Sequence, residues 1–458
     1  MTDKNHIKNF IYLVFFLVAA YFIYDSNLTI KESHTLFITL ITASLWVTEK
    51  LPIPISSLIP IAAFPLLGIL DSKTVAQSYG SPLILLLLGG FMLSVAMSST
   101  QTHRLLANKI IKVVGTNSQA KILLSFMLTA SVLSMWISNT ATTLMLLPIA
   151  LAILDKNSSK NFAIILLLGI AYAASIGGIA TPIGTPPNLV LLQTIKDAGL
   201  PEIGFFNWMK QVLPILFIIF PLIYFYLKSH LDNKPINYQL ENLSITRSQI
   251  KVLSVFAITA FLWMTRVEPF GGWKTLLDLP YANDASVALL AVVVLFSLKN
   301  EEKKPIITWQ AVNKIPWGIL LLFAGGLTIA AAFKQTGLSA SIANNLMFLN
   351  NFSTWLIVGF ICLFVTFLTE ITSNTATTAV LMPILLSTAH ALNIDPMILL
   401  LPATISASFA FMMPVATAPN AIVFSSGQVP IKKMMRIGLV LNLMGAVIVT
   451  LYFSLVNH

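Results

Sequence analysis

The sequence predicts an all-α polytopic membrane protein made of two related halves, and three observations predict it. Hydrophobic residues make up 57% of the 458 residues and charged residues 10%, where an ordinary soluble domain carries roughly 25% charged. Apolar runs long enough to cross a bilayer, which takes about 20 residues of helix, recur along almost the whole chain and leave no stretch for a soluble domain. One polar phrase is also written twice, letter for letter: SNTATT runs from Ser138 to Thr143 and again from Ser373 to Thr378.

Taken in order, spans are expected near residues 10–24, 33–48, 52–70 and 82–99. The basic start ahead of the first apolar run has the look of a signal peptide. No small-residue cleavage site precedes Asp25, however, so an uncleaved span with its start inside is expected. The amphipathic piece HRLLANKIIKVV follows the fourth span, and His103, Arg104, Lys109 and Lys112 place it at an interface. Two runs, about 121–137 and 142–154, flank the first SNTATT, each a little short for a crossing. A span near 162–178, the break GGIATPIGTPPN and a span near 207–228 complete the first half, and the polar stretch Lys228–Lys251 divides the chain.

The second half repeats this grammar. LLLGGFMLSV from Leu86 answers to LLFAGGLTIA from Leu321, SNTATT recurs 235 residues on, and TPIGTPPN (Thr181–Asn188) answers to MPVATAPN (Met413–Asn420) 232 residues on. Three matched blocks in one order at nearly constant offset indicate an internal duplication. An odd number of crossings on either side of the divide makes the repeats inverted. Paired Gly/Pro-interrupted apolar segments in two halves are the sequence mark of a secondary transporter's binding site, near the membrane midplane between discontinuous helices.

The repeated block has the chemistry for such a site. Ser, Asn and Thr cap helix N-termini by accepting from unpaired backbone N–H groups. Where one half-helix ends and another begins, terminal carbonyls offer hard oxygen ligands suited to Na⁺, and the next N-terminal amides attract an anion. Duplicated, this gives two cation sites facing one substrate with two negative ends. In the breaks, prolines remove donors, while Gly184 and Ala416 keep backbone carbonyls accessible to close a cation shell. Small hydroxyl residues in membrane helices often serve packing alone, but a duplicated block paired with a duplicated break goes beyond packing.

SNTATT twice, with TPIGTPPN after the first and PVATAPN after the second, resembles the divalent anion/sodium symporter family, over essentially the whole chain. The resemblance implies an elevator-type homodimer with about eleven transmembrane helices per protomer, two inverted repeats, re-entrant hairpins and unwound helices. It divides the chain into scaffold helices with the first interfacial helix (1–120) and a first-repeat hairpin and unwound helix in a transport domain (121–228). A central loop with second-repeat scaffold helices (229–350) and a second-repeat hairpin, unwound helix and C-terminal span (351–458) follow. Carried over by motif, the first Na⁺ site is Ser134, Ser138, Asn139 and Gly184, and the second is Thr369, Thr372, Asn374 and Ala416. The substrate is expected on Asn139, Thr140 and Thr185 from one half, with Ser373, Asn374, Thr375 and Thr417 from the other. One departure is Ala418, where the family often has proline, and it weakens any inference about which diacid is preferred.

The remaining polar residues narrow the function. The net charge of +10 fits basic cytoplasmic loops rather than a nucleic-acid partner. The single cysteine, Cys362, excludes a disulfide framework and a thiolate cluster. The six histidines show no metal-ligand spacing, and no nucleophile elbow or phosphate loop occurs, so neither an enzyme nor a cofactor is expected. Glu370, three residues before the second SNT, is an ionisable group inside a span; its repeat counterpart is Met135, and bracing of the hairpin is its expected role. The expected protein is a sodium-coupled importer of C4 dicarboxylates such as succinate, malate or fumarate, in a bacterial cytoplasmic (inner) membrane. The alternatives are a citrate/succinate type exchanger and a sulfate symporter. No cationic side chain stands among the expected cation ligands, which favours symport over exchange.

Overall fold

The computed structural model describes residues 28–154, 159–232, 244–268, 270–313 and 315–456; the first expected span and the N-terminal segment lie outside them. Among the described residues all regular structure is helical apart from one isolated bridge, Lys299 with Pro305. Among the described residues, five helices are long and apolar enough to cross a membrane.

The first half runs through α1 (Ile30–Thr48), α2 (Leu58–Leu66), α3 (Ser72–Tyr79), α4 (Pro82–Ser99) and α5 (Thr102–Val114). It continues with α6 (Gln119–Ser134), α7 (Asn139–Ile153), α8 (Lys160–Gly178), α9 (Pro186–Asp197) and α10 (Phe205–Lys228). The second comprises α11 (Arg247–Met264), α12 (Asp284–Ser297), α13 (Trp317–Thr336), α14 (Leu338–Asn345) and α15 (Thr354–Thr369). After these come α16 (Asn374–Ala391), α17 (Met397–Ser406), α18 (Ala418–Ser425) and α19 (Ile431–Val456). Side-chain caps set many of the starts: Thr29 with Glu32 for α1, Ser81 for α4, Ser118 for α6 and Ser159 for α8.

Two expectations are corrected. The span read at 52–70 is shorter, because Pro52 opens a separate turn at Ile53–Ser56 and the chain leaves α2 before Gly68, whose φ of 65° suits glycine. The run read from 142 begins at Asn139, because Ser138 caps it and draws the SNTATT residues into the first turn of α7.

The order α4 to α10 recurs as α13 to α19, element for element. At one end of the bundle, Gln249 Nε2 donates to Thr100 O (3.2 Å) and Ser248 N to Glu301 (2.7 Å), while Lys433 Nζ donates to Asn161 Oδ1 (2.6 Å). At the other end, Arg266 pairs with Asp284 (2.6 Å) and Glu202 (2.7 Å), and Lys334 Nζ donates to Asp197 O (2.7 Å). Thus α4 ends where α13 begins, and the repeats are inverted. The first end carries Arg104, Lys109 and Lys112 of α5, Lys228 and Arg247 at the facing ends of α10 and α11, Lys299, Lys303 and Lys304 after α12, and Lys432, Lys433 and Arg436 of α19, which marks it as cytoplasmic.

Candidate functional site

Each repeat folds its SNTATT block into a helical hairpin whose two arms stop short inside the protein. In the first, α6 ends at Ser134, and Ser138 Oγ accepts from Ala141 N (3.2 Å) to start α7. In the second, α15 ends at Thr369 and α16 starts at Asn374, where Ser373 makes no side-chain cap and keeps its hydroxyl uncommitted to the helix. The threonines four residues on, Thr143 and Thr378, return their hydroxyls to the carbonyls of Asn139 (2.9 Å) and Asn374 (2.8 Å).

Each break is an unwound segment: 179–185 between α8 and α9, and 407–417 between α17 and α18. Freed backbone groups at membrane depth must find partners inside the protein, and an asparagine in the first turn of the helix after each break supplies them. Asn188 Nδ2 donates to Thr181 O (2.8 Å) and Gly178 O (3.2 Å); Asn420 Nδ2 donates to Ala410 O (2.9 Å) and Met413 O (3.0 Å). Trp208 Nε1 of α10 adds a bond to Ile179 O (2.9 Å). Both asparagines end the matched TPIGTPPN and MPVATAPN blocks, and that repetition was the available signal for a role that motif carry-over did not assign.

At the first hairpin tip the Asn139 carboxamide is surrounded by oxygen. Ser134 Oγ lies at 2.6 Å, and the carbonyls of Gly184 and Ala174 lie at 3.2 Å each. The orientation that satisfies every group here turns the amide nitrogen toward these atoms, donating to all three. The cradle is tight: a Cβ on Gly178 would fall 2.5 Å from Asn139 Oδ1, and one on Gly184 would fall 2.4 Å from Gly178 O and 2.9 Å from Ser134 O. Ser134, Asn139 and Gly184 lie together at this tip, and Ala174 and Gly178 join them through backbone atoms that residue type could not announce. Ser138 flanks the cluster as the cap.

The second tip matches in part. Thr369 Oγ1 donates to Asn374 Oδ1 (2.6 Å), the same pairing as Ser134 with Asn139, and reaches Ala407 O (3.1 Å). Thr372 turns its hydroxyl to Leu368 O (2.9 Å) and toward Thr377, so its backbone carbonyl is the group left for a cation. Ala416 lies buried in the second break. Glu370 is also buried and fully satisfied, accepting from Met412 N (2.8 Å), Met413 N (2.8 Å) and Asn442 Nδ2 (2.6 Å).

The repeats interleave around these tips. α9, whose N-cap residue is Thr185, packs on α16 of the other repeat, and α18, whose N-cap residue is Thr417, packs on α7. Thr185 and Thr417 thus stand at the N-terminal ends of helices that each pack on the other repeat's hairpin arm, a setting suited to an anion. The two hairpins differ in what covers them. α16 packs on α13 and α14, and a Cβ on Gly326 would fall 2.9 Å from Ala379 Cβ. In the matching Gly-Gly pair of α4, Gly90 faces open space, and Leu144, the counterpart of Ala379, is 54% exposed against 5%.

Residues 43–397 match the citrate transporter family. The chain is 38% identical over 450 residues to the sodium-dependent dicarboxylate transporter SdcS of Staphylococcus saprophyticus, covering 93% of this chain and 86% of that one. It is 36% identical over 461 residues to the protein of the same name in Staphylococcus aureus, covering 95% and 88%. The crystal structure of the Alcanivorax borkumensis YdaH transporter shares the fold, with a TM-score of 0.62 at 13% identity over 93% of this chain and 99% of that one. Hairpins, breaks and relatives agree: this chain is an integral membrane transporter, not an enzyme, and belongs to the citrate transporter family within the divalent anion/sodium symporters.

Proposed function

We propose that the protein imports C4 dicarboxylates coupled to Na⁺, and the convergence of Ser134 Oγ, the Asn139 carboxamide and the Gly184 and Ala174 carbonyls at the first hairpin tip carries this reading. Na⁺ is a hard cation that takes neutral oxygen ligands. Ser134 Oγ, Asn139 Oδ1 and the Gly184 carbonyl offer them at the first site, with Ser138 beside them. Thr369, Thr372, Asn374 and Ala416 offer the second set. A bound cation holds each asparagine with its oxygen inward and its amide nitrogen free for a substrate carboxylate. Without the cation the amide turns over and withdraws that donor, so the substrate site is complete only when the cation sites are filled. The two carboxylates then rest on Asn139, Thr140 and Thr185 from one side and Ser373, Asn374, Thr375 and Thr417 from the other. The sodium dependence and dicarboxylate substrate named for both staphylococcal relatives support the same assignment.

The unequal covering of the hairpins supports an inward-facing state. The second hairpin, entered from the outer end, is sealed on α13 and α14, while the matching face of α7 is bare toward the cytoplasmic end. Exchange of these two conditions, with the hairpins and broken helices moving as a transport domain against a scaffold that pairs two copies, gives alternating access of the elevator kind. Uptake of labelled succinate by proteoliposomes under an imposed Na⁺ gradient tests the proposal, with citrate and sulfate tried alongside. Accumulation of intact succinate that follows the Na⁺ gradient after collapse of the proton gradient is expected. Equal uptake without Na⁺ but with internal counter-substrate overturns symport in favour of exchange.

A further inference from the structure

At the cytoplasmic end, α8, α10 and α19 leave a cavity of about 590 Å³, remote from the hairpin tips. Its polar wall is made by Asn161, Tyr226, His230, Lys432, Lys433 and Arg436. Its floor is apolar, with Ile164 and Ile165 of α8 and Ile437 and Val440 of α19. Lys433 Nζ is engaged by Asn161 Oδ1 (2.6 Å), and Asn161 in turn reaches Asp232 (3.3 Å). Lys432 and Arg436 are exposed and form no ion pair among the described residues. His230 Nδ1 is held by Tyr226 O (2.9 Å), which leaves its Nε2 as the ring's remaining polar atom.

A solvated basic face needs no apolar floor, and a packing defect needs no three cations above it. Together they describe a receptor for an amphiphile with a negative head. The faces of α10 and α19 below the cavity continue the apolar surface, where Leu222, Phe225, Leu439 and Leu443 are exposed as a bilayer-facing side requires. Basic pockets between transmembrane helices on the cytoplasmic side suit anionic headgroups, each Lys or Arg near the surface adding attraction.

We propose that this cavity binds the phosphate headgroup of an anionic phospholipid of the cytoplasmic leaflet, held by Lys432, Arg436 and His230. The lipid's first methylenes lie on Val440 and Ile437. All three helices bear on the transport site, since α8 precedes the first break and α10 and α19 each lie against a break, so the lipid sits on elements expected to move.

Native mass spectrometry of the purified full-length protein, incubated with phosphatidylglycerol, cardiolipin or phosphatidylcholine, tests this. The wild type should retain the anionic lipids over phosphatidylcholine by roughly tenfold or more, and the Lys432→Gln/Arg436→Gln double variant should lose that preference. Val440→Trp fills the floor without altering charge and should lose it as well, while Lys299→Gln/Lys303→Gln on the same side should keep it. Excess inorganic phosphate should leave the lipid bound. Unchanged retention in the double variant, or equal retention of phosphatidylcholine by the wild type, overturns the site. Displacement by millimolar phosphate, or retention undiminished in Val440→Trp, overturns the lipid as its occupant in favour of a free anion.

Discussion

Gly184 to alanine is the sharpest probe of the first cation site, because its repeat counterpart is already alanine, Ala416. A Cβ at Gly184 would meet Gly178 O at 2.4 Å, Ser134 O at 2.9 Å and Gly178 C at 3.0 Å, all backbone atoms. Carbon and carbonyl oxygen keep roughly 3.3 Å even in their closest favourable contacts, so backbone must retreat by about 0.9 Å. That retreat spreads the carbonyls that would hold the ion. Overpacking of this kind costs about 1–3 kcal/mol, and taken from cation binding it corresponds to a roughly 5- to 150-fold loss of sodium affinity. The assay is the sodium half-saturation of succinate uptake in proteoliposomes at saturating substrate, with elution and thermal unfolding of each variant as controls. Gly184→Ala should raise the half-saturation within that range, whereas Ala416→Gly removes a methyl from a segment that already holds one and should stay near wild type. An unchanged sodium half-saturation in Gly184→Ala refutes the reasoning, and so does an equal rise in Ala416→Gly.

Other substitutions separate the remaining roles. Asn139→Ala and Asn374→Ala should each abolish uptake while the protein elutes and unfolds as the wild type does; near-normal uptake in either would return that tip to a packing role. Thr140→Ala and Thr375→Ala should raise the succinate half-saturation about two- to tenfold with sodium dependence intact, the expectation for a lost neutral hydrogen bond of roughly 0.5–1.5 kcal/mol; a sodium shift instead would place these hydroxyls in the cation shells. Glu370→Gln should keep sodium-driven uptake but unfold at lower temperature, since a glutamine offers one acceptor oxygen where Met412 N and Met413 N now use two, and an orphaned buried donor costs about 1–3 kcal/mol. Loss of net transport with exchange preserved would make Glu370 a proton carrier and defeat the sodium assignment.

What could be read from the sequence was whatever depends on side-chain type and spacing. The duplicated block, the breaks and the pairing of hydroxyl with asparagine at each tip follow from letters that recur at constant offset, and α4, α8 and α10 lie within two residues of the expected spans. The carbonyls of Ala174, Gly178 and Ala407 were hidden because any residue carries a carbonyl, and only the fold decides which ones converge. The asparagines of the breaks stood in quoted motifs, yet their task, holding unwound backbone, appears only once the unwinding has a register. The bare face of α7 was beyond reach for another reason: repeats with similar sequences are free to sit in unlike states, and which one is sealed is a property of conformation.

One disagreement between the repeats explains itself in the structure. α8 stays helical through Gly178, because Gly177 lets it approach α6 so closely that a Cβ there would fall 2.3 Å from Ser131 O. At the equivalent position the second repeat has Phe409, whose ring cannot enter such a contact. α17 ends at Ser406 instead, and the ring packs against α19 at Gly445, where a Cβ would fall 2.7 Å from it. Earlier unwinding releases more backbone donors, and the residues that answer them are new to this repeat. Asn442 accepts from Phe411 N (3.2 Å), and Glu370 accepts from Met412 and Met413 N (2.8 Å each). In the first repeat the hairpin meets the break the other way round, with the Thr181 hydroxyl donating to Met135 O. Thr181 and Met413 are counterparts, as are Met135 and Glu370, so side chain and backbone have exchanged parts across one conserved joint. A glutamate placed by that exchange is fully occupied in holding an unwound helix, which leaves the proposed cation coupling to the neutral oxygens that both repeats share.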